Sequence, residues 1–81
     1  MNGAVRPQIR RYVVQRLRMK GDDALVDDGD ALFSSGRLDS LDAVEMIMHV
    51  ENEYGINFSR IDFDLTRLDS IDSIATLIAG P

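Results

Sequence analysis

The hexapeptide Arg37-Leu38-Asp39-Ser40-Leu41-Asp42 recurs almost letter for letter as Arg67-Leu68-Asp69-Ser70-Ile71-Asp72. Each copy is a helix-start signal. An Asp or Ser ahead of an apolar helical run accepts from the free N–H groups of the first turn, and a following acid sits at the positive end of the helix dipole. Two such starts thirty residues apart, in a chain of 81 residues, constrain the fold strongly. They leave room for one helix before the first copy and a short one after the second, in a single small domain spanning residues 1–81. Capping describes both copies equally well, so the repeat alone does not tell them apart.

Periodicity fills in the rest. Val5, Ile9, Tyr12, Val13 and Leu17 form an amphipathic stripe, with Pro7 in the first turn of a helix starting near Ala4 and Gly21-Asp22-Asp23 ending it. Residues 21–38 form a long connection, which a compact domain tolerates when it is functional or pinned. Leu25, Val26, Leu32, Phe33 and Leu38 are the expected pins. A second helix runs from about Ser40 to Tyr54 and ends at Gly55. At about 100° per residue, Ala43, Val44, Ile47, Val50 and Tyr54 share its apolar face, with Met48 beside it. Asp42, Glu45, His49, Asn52 and Glu53 take the other face, and Glu51 falls on the apolar side with no evident role. Ile56, Phe58, Ile61, Phe63 and Leu65 alternate like a strand, but a lone strand has no partner, so a loop with one short helical turn is expected. Ile71, Ile74, Ala75 and Ile78 define a last helix starting near Asp69 or Ser70. The expected fold is all-α: an up-and-down bundle of three main helices plus one short helix, with a long loop between the first and second helices.

Charge is divided unevenly. Residues 1–20 hold six of the nine basic residues and no acid, so residues 21–81 carry a net charge of −11. A body that acidic repels nucleic acid and attracts basic protein surfaces. The basic stretch reads as the solvated face of the first helix. No run of about 18 apolar residues is present to span a membrane and no signal-peptide core follows Met1, so a cytoplasmic chain is expected, without membrane or nucleic-acid partners. There is no cysteine, hence no disulfide, no thiolate metal site and no protein thiol nucleophile. Asp27-Asp28-Gly29-Asp30 has the composition of a calcium loop but fails its spacing. With Gly29 at the sixth position, the first, third and twelfth are Ala24, Val26 and Ser35.

The context of the first copy carries a resemblance. Gly36-Arg37-Leu38-Asp39-Ser40-Leu41-Asp42-Ala43-Val44-Glu45, followed by Glu51-Asn52-Glu53-Tyr54 and a Gly-Ile-Asn-Phe exit, resembles the attachment signature of the acyl carrier protein family. The likeness spans roughly residues 5–79. It implies that Ser40, mid-chain at the start of the second helix, carries a 4'-phosphopantetheine arm derived from coenzyme A. Ser70 has Thr66 where the first copy has Gly36, and corresponds to the cap of the family's last helix. The resemblance further implies that Asp39 helps a phosphopantetheinyl transferase recognise the site. Leu41, Asp42, Glu45, Met46 and Glu53 would form a face on which basic partner patches dock. The partners implied are the transferase, an acyl or aminoacyl ligase and downstream acyl-processing enzymes of fatty acid, polyketide or related synthesis, served by a monomeric carrier. Val44, Ile47, Met48, Phe33, Ile61 and Ile74 would pack the core and could open around an acyl chain. The basic first helix departs from a strongly acidic carrier and suggests a dedicated partner set.

A catalytic reading of Ser40, Asp42 and His49 fails on geometry. His49 lies nine residues after Ser40 on one helix, about 180° around the axis and about 13 Å along it, beyond the reach of a general base. It is the only histidine, so no catalytic or metal site is expected. Two other readings stand beside the acyl carrier. One is an aminoacyl or peptidyl carrier with the same arm. The other is an unmodified helical adaptor in which both Asp-Ser copies only cap.

Overall fold

A computed structural model of the protein describes residues 2–60 and 64–80. Three α-helices and two 3₁₀ turns make up its regular structure, and the described residues contain no strand. Helix α1 spans Asn2–Met19, α2 spans Ser40–Tyr54 and α3 spans Ile71–Ala79, with 3₁₀ turns at Phe58–Arg60 and Leu65–Leu68. The expected bundle with its long first connection is therefore present. The segment before α3 holds two short turns rather than one, and Ile61 and Phe63 lie outside the described residues. No described helix is long and apolar enough to cross a membrane.

Helix α1 begins earlier than Pro7 suggested. Pro7 sits inside it, and costs the ladder one donor near the N-terminal end. The predicted stripe holds: Val5, Ile9, Val13 and Leu17 are buried, with Tyr12 packed at the edge. Past Met19 the chain stops in a Schellman motif. Gly21 adopts φ +82°, its N–H donates to the Arg18 carbonyl, and the Asp22 N–H donates to the Leu17 carbonyl. Helix α3 buries Ile71, Ile74, Ala75 and Leu77 and packs chiefly on α1 and on the second 3₁₀ turn, whose Leu68 is fully buried. Leu77 takes the deeper place where Ile78 was expected, leaving Ile78 partly buried.

The long loop is pinned by apolar residues and, more tightly, by polar ones that periodicity does not reveal. Val26, Leu32 and Leu38 enter the core and Phe33 packs against it. Leu25 does not: it is 75% exposed. The Asp22 carboxylate accepts from the Ala24 N–H at 2.7 Å, and Ala24 adopts the left-handed region at φ +61°, which buries Ala24 and leaves Leu25 outside. Arg37 holds the same Asp22 with Nη2 at 2.6 Å and Nε at 3.2 Å, and its fork also reaches the Leu25 carbonyl. That bidentate hydrogen bonding, helped by the Ala24 N–H, lowers the Asp22 carboxyl to about 2. At the far end of the loop the Asp69 carboxylate accepts from the N–H groups of Leu32, Phe33 and Ser34 at 3.2, 2.7 and 3.0 Å, and from the Ser34 hydroxyl at 2.6 Å. Burial alone would push the Asp69 carboxyl up, but these donors override it and hold it low.

The basic helix is not a free surface. Arg6 pairs with Asp28 and Asp72, Arg10 with Asp28 and the Val26 carbonyl, Arg16 with Asp42 and Glu45, and Lys20 with Asp39 and Asp42. Four of the six cations of α1 and its end thus serve as counter-ions to the acidic loop, α2 and α3. The expected solvated face is present in part, since Arg6, Arg11, Arg18 and Lys20 are exposed, but most of its cations are engaged within the chain. A body of −11 recruits the nearest cations of its own chain.

The Asp69 nest predicts a hierarchy. Asp69→Ala strips the acceptor from the Phe33 and Ser34 N–H groups, while the Leu32 N–H keeps the Asp69 carbonyl at 2.8 Å, a loss of about 1–3 kcal/mol. Ser70→Ala removes a single cap, about 1 kcal/mol. Urea unfolding should rank Asp69→Ala as the more destabilising, and hydrogen exchange should show the Phe33 and Ser34 amides opening in that variant alone.

Candidate functional site

The two Asp-Ser copies are used in different registers. In the first, Asp39 is the N-cap of α2. Its Oδ1 accepts from the Asp42 N–H at 3.0 Å, and the Asp42 Oδ2 accepts from the Asp39 N–H at 2.9 Å, a reciprocal capping box. Ser40 is then the first helical residue. It is exposed, and its hydroxyl has no hydrogen-bond partner among the described residues. In the second copy Asp69 is drawn away into the loop nest, and Ser70 becomes the cap. Ser70 is buried, its Oγ accepts from the Ser73 N–H at 3.0 Å, and it donates to the Ser73 hydroxyl. Ser70 therefore acts as the expected cap. One copy offers a free hydroxyl; the other consumes it.

The surroundings of Ser40 follow from the loop. Gly36 lies at φ +84°, where a side chain would be strained, and turns the chain so that its N–H reaches the Phe33 carbonyl. The Leu38 N–H bonds back to the Leu32 carbonyl at 2.8 Å, bringing Asp39 to the head of α2. Phe33, Gly36, Leu38, Asp39, Ser40 and Leu65 line an open cleft of about 280 Å³. The free hydroxyl thus stands at the mouth of a partly apolar hollow and at the positive end of a 15-residue helix.

Behind the cap lies a charged cluster. Asp42 is buried, with Arg16 Nε 2.9 Å from its Oδ1 and Lys20 Nζ 2.8 Å from its Oδ2. Burial would raise its carboxyl. The Asp39 N–H, Lys20 and Arg16 donate to the ionised form and hold it far below the ordinary carboxylate range. Lys20 also reaches the Asp39 Oδ2 at 3.3 Å, and its hydrogen bond to Asp42 raises the ammonium group above its usual value.

These contacts rearrange the expected docking face. Asp42 and Met46 are in the interior, Met46 at 1% exposure, and Glu45 is paired with Arg16. None of the three is a free contact. Leu41 remains exposed at 65%, and Glu53 is exposed, lining a hollow with Arg11, Tyr12, His49 and Tyr54 on the α1–α2 face. Val44 and Met48, expected in the core, stand out at 53% and 56% exposure, while Ile47 and Ile74 pack inward as expected. The buried face of α2 is turned about 70° from the one a wheel of apolar residues gives, because the inward-facing Asp42 is satisfied by α1. Leu41, Val44 and Met48, at i, i+3 and i+7, then form an apolar stripe that begins beside Ser40. Glu51 finds its role as well, since its carboxylate accepts from the Phe58 N–H at 3.3 Å after the Gly55 turn. His49 stacks on Tyr12 with ring centres 4.2 Å apart, and lines the α1–α2 hollow rather than the Ser40 cleft.

Residues 7–78 match the family model described as the phosphopantetheine attachment site. The chain belongs to that family. Its members are carrier domains of the acyl carrier protein type, whose prosthetic group is 4'-phosphopantetheine and which work with phosphopantetheinyl transferases and acyl-processing enzymes. No curated protein and no solved structure matches the chain. The residues at the head of α2 fit the group: an exposed serine hydroxyl with no competing bond among the described residues, N–H groups of a first helical turn, and a cleft beside it.

Asp42 sets a pH test. Its folded carboxyl lies below the unfolded value, so the stability it contributes is present above about pH 4 and is lost as pH falls below it. Asp42→Asn should cost about 1–3 kcal/mol at neutral pH. The gap between wild type and variant in urea midpoint should narrow as pH is lowered from 7 to 3.

Proposed function

We propose that Ser40 is the serine that receives the phosphopantetheine arm, and that the protein holds acyl intermediates of fatty acid, polyketide or related synthesis on that arm. The observation that carries the assignment is the split between the two copies: an exposed, unbonded Ser40 hydroxyl against a buried, bonded Ser70. In the transfer, Ser40 Oγ displaces adenosine 3',5'-bisphosphate from coenzyme A, forming the Ser40–phosphorus bond. The hydroxyl proton leaves to a base of the transferase, because no base is hydrogen-bonded to Ser40 among the described residues. The arm supplies the thiol that carries the acyl group as a thioester, a group the cysteine-free chain does not provide. The positive end of α2 favours the new phosphodiester. Asp39, whose side chain is 63% exposed, remains open to a transferase despite its cap role.

The stripe of Leu41, Val44 and Met48 is the proposed partner face; Glu53, about 150° away around α2, lies on the α1–α2 side and stands apart from it. Apolar residues beside the attachment point, in a body of −11, suit short encounters with basic enzymes: charge speeds approach, and a small apolar contact limits residence.

Two outcomes follow. Incubated with coenzyme A, magnesium and a broad-specificity transferase, the wild type and Ser70→Ala should each gain one phosphopantetheine by intact mass, and Ser40→Ala none. A wild type that gains nothing while folded would point to the unmodified adaptor. Val44→Asp should slow modification or acyl loading by about tenfold or more through KM, with little change in the urea midpoint, because the residue is already in water.

A further inference from the structure

The cation that ends α1 has a second use at the head of α2. Lys20 Nζ lies 2.8 Å from Asp42 Oδ2 and 3.3 Å from Asp39 Oδ2. Asp42 does not depend on it alone: Arg16 holds the other carboxylate oxygen at 2.9 Å, and the Asp39 N–H donates to Oδ2. For Asp39, by contrast, Lys20 is the cation that the described residues supply. The other positive group nearby, Arg37, is committed to Asp22 by a bidentate bond and to the Leu25 carbonyl. Lys20 is a single charge on a flexible stem, one-third exposed, beside an open hollow that it lines with Gly21, Asp22, Ser35, Gly36 and Arg37. Gly36 also lines the cleft at Ser40.

A phosphodiester on Ser40 would place a second anion next to the Asp39 carboxylate. Without a cation to share, two adjoining negative charges at a capping box would weaken the cap that positions Ser40.

We propose that Lys20 is the built-in counter-ion of the Ser40 phosphodiester: held by Asp39 and Asp42 before modification, it is shared with the phosphate afterwards and positions the root of the arm. This rests on the assignment of Ser40 above. Lys20 acts through charge and placement, and takes no part in bond making. Its partner Arg16 stays on Asp42, so α1 remains fastened to α2 while Lys20 redistributes.

The test compares unmodified and modified forms of the wild type, Lys20→Gln and Lys20→Arg, each verified by mass, in thermal unfolding at low and high salt. The wild type should keep or raise its Tm on modification. Lys20→Gln should lose about 4–8 °C on modification at low salt, with the loss shrinking in high salt, and Lys20→Arg should behave as the wild type. A general weakening of the fold by Lys20→Gln would move both of its forms alike and leave the change on modification equal to that of the wild type. That equality would overturn the proposal. If Ser40 takes up no phosphopantetheine at all, the attachment assignment fails and the role of Lys20 falls with it; a protein modified at Ser40 with a Lys20-independent Tm change overturns the counter-ion alone.

Discussion

Asp42 is a carboxylate that the fold buries, and most of the site depends on how it is neutralised. A buried charge is tolerable only when it is paired and fully hydrogen-bonded. Here Arg16, in the last turn of α1, and Lys20, just past its end, each take one of its oxygens, and the Asp39 N–H completes the set. One carboxylate therefore performs three tasks. It closes the capping box of α2, fastens α2 to α1, and fixes the rotation of α2 about its axis. That rotation puts Met46 in the core and Leu41, Val44 and Met48 in water. The apolar stripe beside Ser40 is a consequence of an ion pair on the opposite side of the helix.

The same economy of charge explains the unusual α1. Arg6, Arg10, Arg16 and Lys20 meet acids from the loop, α2 and α3 in turn, so the basic strip is a seam along which an acidic chain is drawn together. Exposed pairs of this kind each contribute little. Their larger effect is to remove like-charge repulsion where acidic segments converge, and to leave the free acids, such as Glu53, on the outside of α2.

Much of this was legible in the sequence, and the remainder shows what periodicity cannot see. The three helices, the stop at Gly21, the pins Val26, Leu32 and Leu38, and the capping chemistry of both copies follow from spacing and residue type. The face of α2 did not, because a wheel of apolar residues treats Asp42 as a surface group; the i, i+4 pair Arg16 and Lys20 was the available clue. Leu25, expected among the pins, stands outside because the left-handed Ala24 turns the chain there, a strain held in place by Asp22 and Arg37. The role of Asp69 was hidden for another reason. Its partners, the N–H groups of residues 32–34, lie more than thirty positions away and carry no side-chain signature. Yet that long-range nest separates the two copies: by occupying Asp69 it makes Ser70 the cap, whereas Asp39, left at its own helix, caps α2 and frees Ser40.

On the proposed assignment, a difference in capping register selects one serine of two. Tryptic mapping of the wild-type protein after modification reads it directly. Cleavage after Arg37 and Arg60 isolates residues 38–60, with Ser40, and cleavage after Arg67 isolates residues 68–81, with Ser70. The phosphopantetheine mass should travel with the 38–60 peptide, and fragmentation should place it on Ser40. Finding it on the 68–81 peptide, or on both, would contradict the selection of Ser40.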